Sequence, residues 1–208
     1  MLKVERICVM NFENAIRGAR NPLNSWAKMD SYYNEKGEFV LGENDLSLAT
    51  RLARAGSDHR KYLRQVMVSM DITAPLYWWK EFDTYKVGTV ANSTSTMHKI
   101  QAKEFSREDF SCELLTGESV EVMDAVIRCL EAERQKFLET KDKANWINMI
   151  QLLPSSYNQM RTVTMNYEVL INIYYARRNH KLAEWHVLCD AIKELPYADK
   201  LILVKEEN

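Results

Sequence analysis

The sequence contains few glycines and none of the short motifs that mark common nucleotide-binding or hydrolytic sites. Only six glycines occur among its 208 residues. The patterns G-x-x-x-x-G-K-[ST], G-x-G-x-x-G and G-x-S-x-G are all absent, and each of them needs glycine for a tight turn or a close backbone approach. These absences exclude the familiar phosphate loops and the nucleophile elbow as the basis of function.

An excess of charge of either sign is also missing. The chain carries 28 Lys and Arg residues against 29 Asp and Glu residues, so it lacks the basic surplus with which proteins bind phosphate backbones. Its four histidines form no H-x-x-x-H or H-E-x-x-H pair, and no C-x-x-C pair occurs. We therefore expect no nucleic acid polymer as a partner and no metal site.

Long apolar runs are absent as well. No run approaches the roughly 20 residues that a membrane-crossing helix needs, and residues 1–10 lack the apolar core of a signal peptide. Four cysteines are widely spaced among apolar or helical residues, which is typical of reduced, buried thiols. They are Cys8, Cys112, Cys129 and Cys189. We expect a cytoplasmic protein with no membrane partner.

Apolar periodicity predicts strands and helices around one core, and we expect 1–208 to form a single domain. The predicted strands are 3–10, 65–72 and 161–165, and the predicted helices are 15–19, 46–55, 118–140, 144–153, 167–178 and, last, 182–195. Asn44 or Asp45 is the predicted cap of the second helix. Residues 24–42 form either a long ordered loop or a hairpin that turns at Lys36-Gly37.

Residues 71–98 restrict the function most. A strand end leads into a helix for which Thr73 is the candidate N-cap, with Pro75 near the first position. A polar loop follows, which contains Lys86 and a run of hydroxyl residues at 93–96. Such a loop is suited to holding a phosphate, and the alternative interpretation is a solvated turn.

The helix predicted at 167–178 opens at Asn166, whose side chain suits an N-cap, and closes with Arg177-Arg178. Two interpretations of the arginine pair stay open. Either the arginines compensate the negative end of the helix dipole, or Arg177 points toward a ligand together with Asn166 and Asn172. Steps of six and five residues do not form one stripe of a helix, so periodicity does not decide between these interpretations.

Taken together, these segments resemble the flavin-dependent thymidylate synthases over most of the chain. The signature of that family, R-H-R-x-x-S-x-N-x-x-S-x-R, follows a strand and a helix like those predicted here. With Ala74-Pro75 aligned and one residue inserted, its arginine-histidine-arginine falls on Thr84-Tyr85-Lys86, its first serine on Thr89, its asparagine on Asn92, its second serine on Ser95 and its last arginine on Met97. An arginine-glutamine pair on the substrate side of the preceding helix falls on Lys80-Glu81.

The resemblance continues downstream. The family has a leucine-proline, then a strand, then an asparagine that opens a helix ending in a ligand-binding arginine. At the family's intervals this sequence has Leu153-Pro154, Asn166, Asn172 and Arg177. His59 resembles the histidine that precedes the central strand of the family.

The resemblance implies an α+β fold, in which a single domain has a central sheet flanked by long helices. It also implies a homotetramer that holds FAD, dUMP and a folate at its subunit interfaces. The implied reaction is the methylation of dUMP to dTMP. Reduced FAD, recharged by NADPH, delivers a hydride while methylenetetrahydrofolate supplies the one-carbon unit, without a cysteine nucleophile. The implied partner is dUMP or a related pyrimidine nucleotide.

The resemblance also implies roles for individual residues. Arg177 is the implied catalytic residue, which stabilises negative charge developing on the uracil. The other implied roles are substrate binding by Ser95, Glu81 and Arg177, and cofactor binding by His59, Lys86, Asn92, Asn166 and Asn172.

Four arginines of the family are replaced in this chain. The replacements are Thr84, Met97, Ile150 and Glu168. A hydrogen bond to a charged group contributes about 1.5–3 kcal/mol, so the replacements bear directly on anion binding. Three functions stay open: synthesis of dTMP, related one-carbon chemistry on another pyrimidine nucleotide, and binding of nucleotide or flavin by a non-catalytic oligomer of the same fold.

Overall fold

The computed structural model describes residues 2–204. Helices and strands both build the chain, which confirms the α+β class. In chain order the elements are β1 (Lys3–Met10), α1 (Phe12–Ala19), β2 (Tyr32–Tyr33), β3 (Phe39–Val40), α2 (Glu43–Arg54), β4 (Met67–Pro75), α3 (Leu76–Phe82), β5 (Val90–Ser93), α4 (Glu118–Thr140), α5 (Lys143–Leu152), β6 (Asn158–Asn166), α6 (Tyr167–Arg177), α7 (Ala183–Lys193) and α8 (Ala198–Leu201). Within 2–204, no helix is both long enough and apolar enough to cross a membrane.

Four strands form one sheet in the order β1-β4-β6-β5. Burial alternates along β4, with Val68, Met70 and Ile72 buried, as expected for a strand that presents one face to a core. The strands predicted at 65–72 and 161–165 are confirmed. Strand β4 begins two residues later than predicted and continues to Pro75, whereas β6 extends beyond the predicted residues at both ends. A separate antiparallel pair, β2 and β3, shows that 24–42 contains a hairpin.

The chain divides into two compact units, each built from several segments. The first unit holds 2–3, Ile72–Thr84 and Asn92–Thr162, and the second holds Val4–Asp71, Tyr85–Ala91 and 163–204. In the first unit α4 packs on α5 around a buried apolar cluster, which consists of Ile100, Phe105, Phe110, Met123, Leu130 and Met149. The apolar stripe of α4 accounts for this packing, and the predicted bounds of α4 are confirmed at both ends.

In the second unit, a buried ion pair joins the end of α1 to α2. Arg20 donates from Nε to Oδ1 of Asp45 over 2.6 Å, and both side chains are buried. The other carboxylate oxygen of Asp45 accepts hydrogen bonds from the backbone N–H and the hydroxyl of Ser31. Burial opposes the negative charge, but these hydrogen bonds together prevail and hold the pKa of Asp45 below its ordinary value.

The prediction that Asn44 or Asp45 caps α2 is wrong. The Asp30 carboxylate accepts hydrogen bonds from the backbone N–H of Asn44 at 2.8 Å and of Asp45 at 3.0 Å. Because another segment satisfies these first donors of the helix, the N-cap position falls to Gly42. Glycine is required there, since a Cβ would collide with Asp30.

The N-cap predicted at Thr73 is also wrong. Strand β4 continues through Pro75, and α3 begins at the next residue. The backbone N–H of Leu76 donates to the carbonyl oxygen of Tyr157 over 3.0 Å. Neighbouring backbone, rather than a capping side chain, therefore satisfies the start of this helix.

Three further predictions need correction. The polar stretch after α3 is not entirely loop, because its middle forms β5 and belongs to the sheet. Helix α7 is not the last helix, since the one-turn α8 follows it. Cys8 and Cys129 are exposed rather than buried, whereas Cys189 is buried.

The variant Asp45→Asn tests the buried ion pair. It leaves the Arg20 guanidinium buried without its counter-ion, so we expect the free energy of unfolding to fall by about 3 kcal/mol. Because the folded pKa of Asp45 is depressed, its stabilising effect is complete above the ordinary aspartate pKa of about 3.9 and is lost as the pH falls through the lower folded pKa. Urea unfolding measured over that range should show a smaller acid-induced loss for the variant.

The matched control is Asp190→Asn, which removes an exposed ion pair with Lys193. Exposed pairs contribute about 0–1 kcal/mol, so this variant should unfold much like the wild type. Equal losses for the two variants would show that the buried pair has no special part in stability.

Candidate functional site

Strand β6 runs directly into helix α6 at Asn166. The Oδ1 atom of Asn166 accepts a hydrogen bond from the backbone N–H of Val169 over 3.0 Å, which confirms the predicted N-cap. The backbone N–H of Tyr167 donates to the carbonyl oxygen of Val66, so the first turn is also anchored to the residue before β4. These two bonds fix where α6 starts and, because a helix is stiff, where its far end lies.

The loop 85–91 approaches this cap closely at Gly88. Gly88 has a φ of +76°, in the left-handed region that favours glycine. A Cβ at this position would lie 2.9 Å from Nδ2 of Asn166 and 3.1 Å from Cγ2 of Val169. Both features favour glycine, which allows the loop that carries Lys86 to lie directly against the start of α6.

Arg177 lies in the last turn of α6 between two aromatic side chains. Its Nε donates to Oη of Tyr85 over 2.8 Å. Its Cζ lies 4.5 Å from the ring centre of Trp185, a distance typical of a cation–π contact. Trp185 is fully buried, and the rings of Tyr85 and Trp185 meet edge to face at 6.1 Å. The second unit therefore holds the guanidinium in a defined orientation.

Glu168 stands where the family resemblance implies an arginine, and it forms a buried ion pair with Arg60. Nε of Arg60 lies 3.0 and 3.2 Å from the two carboxylate oxygens, and the residues are 7% and 9% exposed. An unpaired charge at this depth is costly, so each residue requires the other. The positive charge of Arg60 is thus matched by a carboxylate in the first turn of α6.

Three other residues of the second unit, His59, Lys86 and Asn172, are exposed. His59 lines a cavity of about 730 Å³ together with Leu52 and Tyr62. The described lining of this cavity includes none of the other proposed site residues. The structure thus brings the loop of Lys86 to the start of α6, while His59 belongs to a cavity of its own.

Glu81, Asn92 and Ser95 belong to the first unit. Oγ of Ser95 accepts a hydrogen bond from the backbone N–H of His98 over 2.9 Å, which closes a compact turn after β5. Asn92 and Ser95 are exposed, and Glu81 is half-buried on α3. The hydroxyl run is therefore an ordered turn at the surface.

Arg161 is a residue of the first unit that sequence reasoning missed. Its Cζ lies 4.2 Å from the ring centre of Trp79, and it donates to Asp83 over 2.8 Å and to Gln159 over 3.0 Å. The amide of Gln159 donates in turn to the carbonyl oxygen of Thr94. A fixed cation thus belongs to the network that anchors the hydroxyl run. The strand predicted at 161–165 omits Gln159, which is the neighbour of Arg161 on the same face of β6.

No family model matches this sequence, and no curated protein matches it either. Solved structures do match, and they define the class of the chain: it has the fold of the flavin-dependent thymidylate synthases. This confirms the fold that the sequence resemblance implied. At the low identities involved, the likeness concerns the fold, and the chemistry has to be argued from the residues of this chain.

Two of these structures are of the flavin-dependent thymidylate synthase ThyX from Helicobacter pylori, each with FAD and dUMP. Both have a TM-score of 0.71 and 17% identity, and they cover 99% and 98% of this chain and 100% and 98% of their own. A third is the UMP/dUMP methylase PolB from Streptomyces cacaoi, bound with 5-Br dUMP. It has a TM-score of 0.60 and 12% identity, and the match covers 96% of this chain and 91% of PolB.

The variant Gly88→Ala tests the close approach of the loop to the cap, and Gly37→Ala is its matched control. The two glycines have φ values of +76° and +75°, but nothing lies within 4 Å of a Cβ added at Gly37. We expect Gly37→Ala to lower the free energy of unfolding by about 1–2 kcal/mol through the backbone alone. Gly88→Ala should cost about 1–3 kcal/mol more, because the methyl group meets Asn166 and Val169.

Chemical denaturation of both variants measures this difference. Equal losses for the two variants would show that the loop moves away from α6 without cost.

Proposed function

We propose that this protein binds a pyrimidine nucleotide, dUMP or a close relative, together with FAD, and transfers a one-carbon unit to the pyrimidine. The observation that carries the proposal is the guanidinium of Arg177, held by Tyr85 and Trp185 at the end of α6. The fold supports it, since the neighbouring ThyX structures contain FAD and dUMP and the PolB structure contains 5-Br dUMP.

Arg177 supplies a positive charge for the reacting ring. When a carbon substituent is added to uracil, negative charge develops on the ring and its carbonyl oxygens. A guanidinium that is already oriented stabilises this charge without reorganising. In the proposed substrate site, the exposed hydroxyl of Ser95 donates to the nucleotide phosphate, and the carboxylate of Glu81 accepts from an N–H or hydroxyl group of the nucleotide.

Residues of the second unit suit a flavin dinucleotide. The amide of Asn172 is exposed and both donates and accepts, as the polar atoms of a flavin ring require. The exposed ammonium of Lys86, on the loop held by Gly88 against Asn166, matches the charge of a pyrophosphate. FAD, when bound and reduced, supplies a hydride.

The proposed reaction also involves two further residues and two cosubstrates. His59 and Asn92 complete the proposed cofactor contacts, NADPH is the proposed source of electrons, and methylenetetrahydrofolate is the proposed one-carbon donor. A homotetramer is the proposed assembly, in keeping with the family that the sequence resembles.

Charge distinguishes this chain from the family that it resembles. Each hydrogen bond from an arginine to an anion contributes about 1.5–3 kcal/mol, so the loss of two of them weakens anion binding roughly a hundredfold to ten-thousandfold. The carboxylate of Glu168, paired with Arg60, replaces one such cation. We therefore propose weak affinity for the phosphate groups and a larger share of recognition at the pyrimidine ring.

A second candidate is one-carbon chemistry on a pyrimidine nucleotide other than dUMP. The likeness to PolB, whose name covers both UMP and dUMP, favours this alternative over an unrelated substrate. Titration with UMP beside dUMP separates the two candidates, because a single ribose hydroxyl distinguishes the ligands.

The purified protein provides the first test of the proposed function. We expect flavin absorbance in the visible spectrum and saturable dUMP binding in calorimetry. Product analysis with labelled methylenetetrahydrofolate, FAD and NADPH identifies the methylated nucleotide, and complementation of a thymidine-requiring strain separates a synthase from a non-catalytic binder. A colourless protein that gains no thermal stability from FAD or dUMP would contradict the proposal.

The pair Arg177→Lys and Arg178→Lys tests the proposed role of Arg177. Both variants keep the charge, but lysine loses the planar fork of the guanidinium. Arg178 is exposed and lies over Tyr175 at 4.9 Å, so it serves as the neighbouring control. We expect Arg177→Lys to weaken dUMP binding at least about tenfold, as the loss of one charged hydrogen bond does, and Arg178→Lys to leave it unchanged.

Calorimetric titration with dUMP measures both affinities. Unchanged binding in Arg177→Lys would remove Arg177 from the proposed site.

A further inference from the structure

We infer that Tyr85 is the positioning residue for Arg177 and that it closes the Nε edge of the guanidinium to a ligand. The inference rests on the proposed function for the identity of that ligand, and on the geometry of the second unit for the positioning itself. In the comparison of motifs given above, Tyr85 stands where the family signature has a histidine.

Tyr85 closes one edge of the guanidinium to ligands. A guanidinium offers two edges for a paired hydrogen bond, one formed by Nε with one Nη and one formed by the two Nη atoms. Nε of Arg177 donates to Oη of Tyr85 over 2.8 Å. A ligand with two acceptor atoms therefore cannot take the Nε edge while this hydrogen bond is in place.

Trp185 supplies the second constraint. Its ring centre lies 4.5 Å from Cζ of Arg177, and Trp185 itself is fully buried and so fixed by its surroundings. Contact with the Trp185 ring restricts where the guanidinium lies, while the bond to Tyr85 fixes its Nε edge. The two contacts together restrict the rotamers of a long side chain before a ligand arrives, which is the condition for preorganised charge stabilisation.

The backbone of Tyr85 is itself held in place. Three residues later Gly88 meets the cap of α6 so closely that a Cβ would lie 2.9 Å from Asn166. Both ends of α6 are therefore in contact with one short loop, the start through Gly88 and the last turn through Tyr85. The loop fixes the hydroxyl acceptor relative to the helix that carries Arg177.

Tyr85→Phe tests the positioning, because it removes the hydroxyl and keeps the ring. In protein labelled with ¹⁵N at arginine Nε, the Arg177 Nε–H signal, assigned with Arg177→Lys, should exchange slowly with water in the wild type and rapidly in Tyr85→Phe. The control Tyr33→Phe removes a hydroxyl bonded to Glu13, also at 2.8 Å, and should leave the signal unchanged. Slow exchange in Tyr85→Phe would overturn the inference.

Nucleotide titration supplies a readout that a merely structural role would not change. The fluorine of 5-fluoro-dUMP withdraws electrons, so its ring ionises more readily than that of dUMP and pairs better with an oriented guanidinium at alkaline pH. We expect the wild type to prefer 5-fluoro-dUMP there. Tyr85→Phe should lose that preference and bind dUMP about tenfold more weakly, because a guanidinium that is no longer oriented forgoes about one charged hydrogen bond to the ligand. Tyr33→Phe, which also loses a hydroxyl, should keep both the preference and the affinity.

The outcomes separate the two claims. Wild-type protein that binds neither nucleotide would contradict the proposed function, and the exchange of the Arg177 signal would still decide the positioning by Tyr85. Nucleotide binding that is identical in the wild type and Tyr85→Phe would support the proposed function and overturn the positioning role.

Discussion

The hydrogen bond from the backbone N–H of Val169 to the side chain of Asn166 is the interaction on which the rest of the proposed site depends. It ends β6 and starts α6 at one residue, so no connecting loop leaves the direction of the helix open. The eleven residues of α6 then carry Arg177 to a fixed place. The same amide meets Gly88, and the loop of Gly88 brings Tyr85 to the far end of the helix.

The second unit holds an oriented guanidinium and pairs a second buried arginine with a carboxylate. Arg177 has a hydrogen-bond acceptor in Tyr85 and an aromatic face in Trp185, whereas the buried charge of Arg60 is matched by Glu168. Orientation determines how well charge on a small ring is stabilised, and net charge determines how strongly phosphates bind. The site that we propose therefore depends on the orientation of Arg177 more than on net charge.

Sequence patterns predicted the local features of this fold and missed most of the long-range ones. The cap at Asn166 and both ends of α4 follow from residue type and apolar period. The cap of α2 does not, because its acceptor is the distant carboxylate of Asp30. Nor does the contact of Tyr85 with Arg177, since these residues lie 92 positions apart and no periodicity links them. The ion pair of Arg60 with Glu168 is likewise invisible in the sequence, because the two residues lie 108 positions apart.

The most direct test of the central claim is a crystal structure of the protein with dUMP. Our account predicts the pyrimidine ring against the guanidinium of Arg177, with Nε of Arg177 still bonded to Tyr85. A nucleotide bound elsewhere on the chain, with Arg177 in contact only with protein atoms, would contradict it.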